Sequence, residues 1–454
     1  MTRQQRLVLI IAILASFCAF LDGSVVNVAL PAISEELGGG LSTQQWVVDA
    51  YLITLGALIL VAGSLSDVYG RVLIIRLGLW GFGLTSLACA LSPTVEVLIL
   101  ARGVQGVAGA LLVPSSLAMI MSAFRGGAQA KAIGSWTAWT SAAFIAGPII
   151  GGILVDLLSW RYVFAINIIP IVATLLLLAK VELKHQRDHS TTIDIAGAVL
   201  AVIGIGAPVF SLIEQENYGW ASPVIWAPMI LGVFAFFGFL WRQATAKQPM
   251  MPLSLFRVRN FAVGNVATTF VYGALGFSSL IIVVFLQQVG QWPATLAGIA
   301  VLPITLILML LSSFFGGLSG KYGPRLFMAA GPIVAGGGHL AMLTVTSDIN
   351  YWWQLLPGIV LVGLGLAITV APLTAAILGS ISEKQSGIGS AINNAIARVA
   401  GLVTVAMLGI IVASVLDVEG MRRALLVAAG LLIIGGLVSA FGIRNAAMIS
   451  SETV

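Results

Sequence analysis

Charge is what this sequence has least of. Asp, Glu, Lys and Arg make up 9% of its 454 residues, against about 25% in an ordinary soluble domain. With 59% hydrophobic residues, the chain does not fit the two or three soluble domains its length would otherwise suggest. Cysteine is nearly missing as well. Cys18 and Cys89 both fall in apolar runs, which excludes a disulfide framework and leaves no metal-ligand spacing. The three histidines, His185, His189 and His339, show no such spacing either. No glycine-rich run ends in Gly-Lys-Ser/Thr, which disfavours ATP-driven transport by this chain alone. No nucleophile–base constellation stands at a plausible site, so the chain is not read as an enzyme. No sizeable soluble domain is present for partners to hold, which disfavours a sensor or assembly protein.

What is present is apolar sequence in long runs. Fourteen segments stand out, at about 7–33, 44–66, 72–91, 95–123, 131–155, 162–180, 194–213, 223–241, 260–287, 293–317, 326–346, 353–379, 387–414 and 424–443. About 20 apolar residues at 1.5 Å rise cross the ~30 Å hydrocarbon core as a helix. The expected fold class is therefore an all-α polytopic membrane protein with 14 transmembrane helices. MTRQQR before the first run resembles a signal peptide, but the run is too long for an h-region and lacks a cleavage site, so it is read as a retained span. With the N-terminus in the cytoplasm, 17 of the 22 Lys and Arg fall in cytoplasmic segments and three, Arg161, Arg422 and Arg423, in outer loops. This is the positive-inside pattern, with both termini cytoplasmic. The formal charge of +5 is thus a topology signal and says nothing about nucleic acid.

The chain also repeats itself. GSLSDVYGR at Gly63–Arg71 returns as GGLSGKYGPR at Gly316–Arg325, with Gly63, Leu65, Ser66, Tyr69 and Gly70 matched at an offset of 253. Two six-helix halves follow. The expected domains are 1–185, a first six-helix bundle; 186–254, two inserted helices with polar flanking loops; and 255–454, a second six-helix bundle with a short tail. Facing pseudo-symmetric bundles suit alternating access around a midplane site.

Four charges lie within spans: Asp22, Asp49, Arg102 and Arg398. An acid near the membrane centre costs roughly 2.5–3.5 kcal/mol on insertion scales, so each asks for a reason. By helical rise, Asp22 and Arg102 lie roughly 16 and 10 Å from the outer ends of their spans, close enough to meet directly or through Gln105. An acid beside a guanidinium stays ionised more easily, and the same acid alone in a dry site takes up a proton. A helix motion that makes or breaks the contact would switch proton affinity. The plainer alternatives are a structural ion pair for Asp22 and Arg102, a snorkelling acid for Asp49, carbonyl or lipid-phosphate bonding for Arg398, and helix bridging for Asn393 and Asn394. Trp46, Tyr51, Trp136, Trp139 and Phe144 are candidates to line a pocket for flat or cationic compounds, against ordinary lipid or neighbour contact. GPIIGG at Gly147–Gly152 sets a proline and close-packing glycines inside the fifth span.

In order along the chain, these stretches resemble the major facilitator superfamily, and within it the fourteen-span drug:proton antiporters. LDGSVVNVALP at Leu21–Pro31 looks like the first-span motif, GSLSDVYGR like motif A, LILARGVQGVAGA at Leu98–Ala110 like motif B, and Gly134 with Gly147, Pro148, Gly151 and Gly152 like motif C. GIGSAINNAIARVAG at Gly387–Gly401 is similar to the thirteenth span. The resemblance implies a major facilitator fold, proton relay through Asp22 and Arg102, a cytoplasmic latch at Asp67, Gly70 and Arg71, and a bend at Gly147 and Pro148 that keeps an exporter from leaking. Val68 and Val72 replace the usual basic residues of motif A, Ala143 replaces a glycine of motif C, and the loop at about 415–423 is short for the family.

The expected function is proton-coupled export of small lipophilic compounds, cationic ones included, across a bacterial cytoplasmic membrane. Asp22, Arg102 and Asp49 would couple protons. Asp49, Trp46, Tyr51, Gln105, Trp136, Trp139, Asn393 and Arg398 are the substrate-binding candidates. The partners are a small-molecule substrate, protons and the bilayer; the proton gradient stands in place of a cofactor, and the chain is read as a monomer. A proton-coupled importer and a lipid or metabolite flippase are the alternatives on the same fold.

Overall fold

The computed structural model describes residues 1–181, 193–382, 385–413 and 416–445, without the side chains of Asp67 and Ala130. Among the described residues, fourteen helices are long and apolar enough to cross a membrane: α1 (Arg3–Leu37), α2 (Gly40–Ser66), α3 (Arg71–Ala90), α4 (Val95–Ala123), α5 (Gly126–Leu157), α6 (Arg161–Leu178), α7 (Ile195–Tyr218), α8 (Pro223–Thr245), α9 (Arg259–Gln288), α10 (Ala294–Tyr322), α11 (Pro324–Thr344), α12 (Tyr351–Leu378), α13 (Ser386–Ala406) and α14 (Val418–Gly442). The chain is a multi-pass membrane protein. An even number of spans puts the start of α1 and the end of α14 on one side, the terminal face; the opposite side is the far face.

Local chemistry marks the ends. Thr2 opens α1 with a capping box closed by Gln5. Asp194 and Asp417 cap α7 and α14, each carboxylate accepting a backbone N–H three residues on. The repeated motif has a structural counterpart. Gly70 between α2 and α3 and Gly323 between α10 and α11 both have positive φ, 95° and 84°, a conformation that favours glycine. Their N–H groups bond to Ser66 and Ser319, which the repeat also matches.

Three spans are interrupted. α5 breaks at Ala142, earlier than the bend expected at Gly147 and Pro148. Pro148 cannot supply the helical bond to the Phe144 carbonyl, and the Ser24 hydroxyl of α1 donates to Ala143 O at 3.0 Å. The break thus falls where α1 offers an outside donor. α6 is interrupted at Ile166–Asn167, and α10 at Val301.

Close packing decides which helices meet. α4 lies against α2 because Gly106 has no side chain: a Cβ there would strike the Tyr51 carbonyl and Thr54 Oγ1. Thr54 Oγ1 in turn donates to Gly103 O at 2.7 Å. α7 and α8 pack on each other through Gly204 and Gly232. α7 also seals against α2 and α13, where Ile53, Val209, Ile213, Leu402 and Ala406 form one apolar cluster. α8 leaves Phe234, Phe237 and Trp241 exposed, as a lipid-facing helix does.

The far face is shut between the first six spans and the last six. The Asp156 carboxylate, ending α5, accepts Ala294 N and Thr295 N at 2.9 Å and Thr295 Oγ1 at 2.6 Å. Gly152 lies directly against the Thr295 backbone, and Gly298 against Pro148 O. Gln45 Nε2 donates to Val405 O and Ala406 O at 2.8 and 2.9 Å, and Gln287 Nε2 to Val28 O at 3.1 Å. Behind these bonds, Val25, Val28 and Leu30 of α1 share an apolar cluster with Phe277, Ile281 and Phe285 of α9.

Candidate functional site

The polar centre of the molecule is built on Asp22. It is fully buried in α1, and so are its neighbours Arg102 and Gln105 of α4, Ser86 of α3 and Asn167 of α6. Arg102 Nη1 donates to Asp22 Oδ2 at 2.6 Å. Asp22 Oδ1 accepts Gln105 Nε2 at 3.0 Å and Asn167 Nδ2 at 2.9 Å. Ser86 Oγ lies 2.9 Å from Gln105 Nε2 and 3.4 Å from Asn167 Nδ2. α4 and α6 thus bond the α1 carboxylate directly with three donors, and α3 joins the network through Ser86.

Arg102 is held from every side. Its Nη1 also reaches Gln105 Oε1 at 2.7 Å, and its Nε donates to Val47 O at 2.9 Å. The guanidinium carbon sits 4.3 Å from the Tyr51 ring centroid and 5.6 Å from that of Phe164, a cation–π arrangement suited to a desolvated cation. The Val47 bond depends on the tight α2–α4 approach at Gly106. A cavity of about 120 Å³ adjoins the network, lined by Gly23 and Asn27 of α1, Tyr51 and Leu52 of α2, Arg102, and Gly276 of α9. Its walls come from both the first six spans and the last six.

The remaining candidates are dispersed. Asp49 is fully buried, and among the described residues neither of its carboxylate oxygens has a hydrogen-bond partner. On α2 it lies between Trp46 and Ile53, which pack toward α7 and α13. It is therefore separate from the Asp22 network, with which the expected proton coupling had grouped it. Trp46 donates through Nε1 to Glu214 of α7 at 2.7 Å and belongs to that same contact. Trp136 Nε1 donates to Ser16 Oγ at 3.0 Å, tying α5 to α1. Trp139 is exposed. Phe144 faces Phe20 with centroids 5.6 Å apart. Asn393 bridges α13 to Asn265 and Thr268 of α9 at 3.1 and 2.8 Å, while Asn394 bonds back to Ser390 O. Arg398 stands over Phe20 at 5.9 Å.

Among the motif residues, Gly147 and Gly151 press on Ser24, Val25 and Val28 of α1, and Gly152 on α10. Gly70 forms the α2–α3 turn. The Asp67 side chain lies outside the described residues, and Arg71 does have an interaction partner. Asn167 and Ser86 were not among the sequence candidates. The one available signal for Asn167 was an amide in the otherwise apolar run FAINIIPIV. His339 of α11 is likewise buried, with Nε2 2.6 Å from Ser278 Oγ of α9 and Nδ1 2.9 Å from Ala335 O. At the offset of 253 it is the counterpart of Ser86.

Outside the spans, Asp194 anchors the α7–α8 pair. Its Oδ1 accepts Gly197 N and Arg242 Nε, and its Oδ2 accepts Gln243 Nε2, all at 3.0 Å. Burial opposes its charge, but the Gly197 amide, Arg242 and Gln243 together hold the carboxyl below the usual carboxylate range.

Comparison with known proteins agrees with this architecture. The family model for the Major Facilitator Superfamily matches residues 12–405. The chain is 34% identical to the methylenomycin A resistance protein of Bacillus subtilis over 89% of this chain and 87% of that one. It is 33% identical to the multidrug resistance protein Stp of Mycobacterium tuberculosis over 91% and 77%. It is 30% identical to the tetracenomycin C resistance and export protein of Streptomyces glaucescens over 87% and 73%. Among solved structures, a peptide transporter POT in complex with sulfate superposes with a TM-score of 0.70 at 16% identity, covering 97% and 94%. The xylose transporter XylE from E. coli, inward open, superposes at 0.68 and 13% identity, covering 97% of both chains. These two matches show the fold. The chain belongs to the major facilitator superfamily of transporters, among the fourteen-span members related to drug-resistance and efflux proteins.

Proposed function

We propose that this protein is a proton-coupled antiporter that exports small lipophilic compounds across a bacterial cytoplasmic membrane by alternating access. The observation that carries this reading is the Asp22 network: a buried carboxylate, bonded by three residues of two other helices, beside a cavity between the first six spans and the last six. Such a group has two stable settings. Ionised, it holds Arg102, Gln105 and Asn167 together. Protonated, it loses the charge that draws Arg102 and loosens the convergence of α1, α3, α4 and α6. Inward movement of one proton supplies about 2.3 kcal/mol per 100 mV of potential, plus the pH difference.

The moving bodies are spans 1–6 and 9–14, with α7 and α8 as an inserted pair. The lysine and arginine distribution puts the terminal face in the cytoplasm. On this reading the shut far face belongs to the half of the cycle that takes up substrate from the cytoplasm or inner leaflet. Asp67, Gly70 and Arg71 serve as the cytoplasmic latch of the opposite state. Gly147, Pro148, Gly151 and Gly152 let α5 press against α1 and α10 so that the closed face does not leak. Asp49 is a second buried acid of the same half, available to take part in the coupling.

The test is export in inverted membrane vesicles, using a panel of lipophilic fluorescent dyes and an imposed pH gradient. Asp22→Asn is expected to abolish gradient-driven transport while the purified protein stays monodisperse. Undiminished gradient-driven transport would remove Asp22 from the mechanism. Dye movement down the proton gradient, together with the proton, would instead identify a symporter.

A further inference from the structure

Among the described residues, one cation in the membrane interior has no bonded counterion. Arg398 is the thirteenth residue of α13 (Ser386–Ala406), about 18 Å from one end of the helix and 12 Å from the other at 1.5 Å per residue. No described residue gives it a hydrogen bond or an ion pair, and its Nε is buried without an acceptor. Its contacts are apolar: Phe20 of α1 lies under the guanidinium at 5.9 Å, and Gly56 of α2 lets the backbones approach beside its Cβ. Arg398 therefore projects from the last six spans toward the inner wall of the first six.

Neither acid of the membrane interior bonds to it. Asp22 is taken by Arg102, Gln105 and Asn167. Asp49 stands on the face of α2 that meets α7 and α13, about two turns from the Gly56 contact, and among the described residues its carboxylate bonds to no group, Arg398 included. A guanidinium does not shed its proton in proteins, so Arg398 cannot escape the cost of burial by turning neutral. An uncompensated charge at this depth is expensive. Among the described residues, none supplies this cation with a bonded partner.

We infer that Arg398 is the recognition group for an acidic substrate: a lipophilic, preferably aromatic body carrying a carboxylate, sulfonate or phenolate. The planar fork of N–H donors fits an oxyanion two bonds at a time, and the Phe20–Phe144 pair, its rings tilted by 56°, offers aromatic apolar contact beside it. This rests on the export reading and narrows its substrate class, away from the cations that the pocket aromatics suggested. It also sets the electrical balance. Expelling one monovalent anion for one entering proton moves two charges per cycle, so transport responds to membrane potential as well as to pH. Export of a monovalent cation for one proton would be electrically silent.

The test uses two probes that differ by one group, 8-anilinonaphthalene-1-sulfonate and N-phenyl-1-naphthylamine, titrated into the full-length protein in phosphatidylcholine nanodiscs. The wild type is expected to bind the sulfonate roughly tenfold or more tighter than the neutral amine. Arg398→Gln should erase that preference while leaving amine affinity unchanged, which also shows that the variant is folded; Arg398→Lys should restore part of it. Equal wild-type affinity for the two probes would overturn the inference, and so would an equal loss of both in Arg398→Gln. Displacement of the sulfonate by phosphatidylglycerol, at lipid levels that also block its transport, would assign Arg398 to lipid phosphate and likewise overturn it. Binding needs no gradient, so the two readings fail separately. Selective sulfonate binding without gradient-driven export sinks the antiport reading alone. Export unaffected by Arg398→Gln sinks this one.

Discussion

At the scale of single residues, Asp22 matters because of the number of groups that converge on it. Arg102 neutralises its charge, but Gln105 and Asn167 set its orientation, and Asn167 sits where α6 is interrupted and its side chain can turn inward. Asn167→Ala should destabilise the protein by about 2 kcal/mol, the scale of a buried hydrogen bond to a charged group, read as a lower Tm in detergent. It should also weaken proton-driven export while leaving the Arg102–Asp22 pair in place. An unchanged Tm would mean that Asn167 is a bystander. Asp22, Arg102 and Gln105 were legible in the chain because charge is rare there and helical rise places them at similar depth. Asn167 and Ser86 were not, since uncharged polar residues recur in membrane helices and only the rotation of α3 and α6 shows which ones face inward. Asp49 was found for the same reason as Asp22, but its direction was not legible. The docking of α7 against α2 decides that, and no local pattern encodes it.

At the scale of elements, the fourteen spans could be read almost end for end because apolar length alone specifies them. The break in α5 at Ala142 could not, because it depends on a hydroxyl from α1 as well as on Pro148. The α7–α8 pair shows how an insertion is fastened. Asp194 caps α7 and receives Arg242 and Gln243 of α8, and Gln243 Oε1 accepts the amide of Met251 in the segment leading to α9. Because its carboxyl is held below the usual range, Asp194 favours the folded state above its unfolded value of about 3.9. That contribution is lost as pH falls through the lower folded value. Asp194→Ala should therefore lower stability by about 1 kcal/mol at neutral pH, the usual scale of a lost helix cap. The difference in Tm from wild type should hold down to about pH 4 and close below it. A difference that grows on acidification would contradict this account of the anchor.

At the scale of the whole molecule, alternating access requires that the bonds shutting one face be breakable. The far-face clasp fits this requirement: Asp156 reaches across to the first turn of α10, and Gln45 reaches across to the last turn of α13. Both involve backbone groups at helix ends, which water can satisfy when the face opens. Asp156→Ala should leave the fold intact and shift the population toward an open far face. Spin labels on the far-face ends of α5 and α10 should then show a longer distance than in the wild type; an unchanged distribution would mean that the Gly152–Thr295 contact closes the face unaided.

The proposed antiport makes one demand that can be measured directly: a proton held at Asp22 and a bound substrate must exclude one another. Purified protein in weakly buffered detergent solution, mixed with an exported compound, should release protons measurable with a pH indicator, and Asp22→Asn should bind the compound without that release. Equal proton release from Asp22→Asn and wild type would contradict the account.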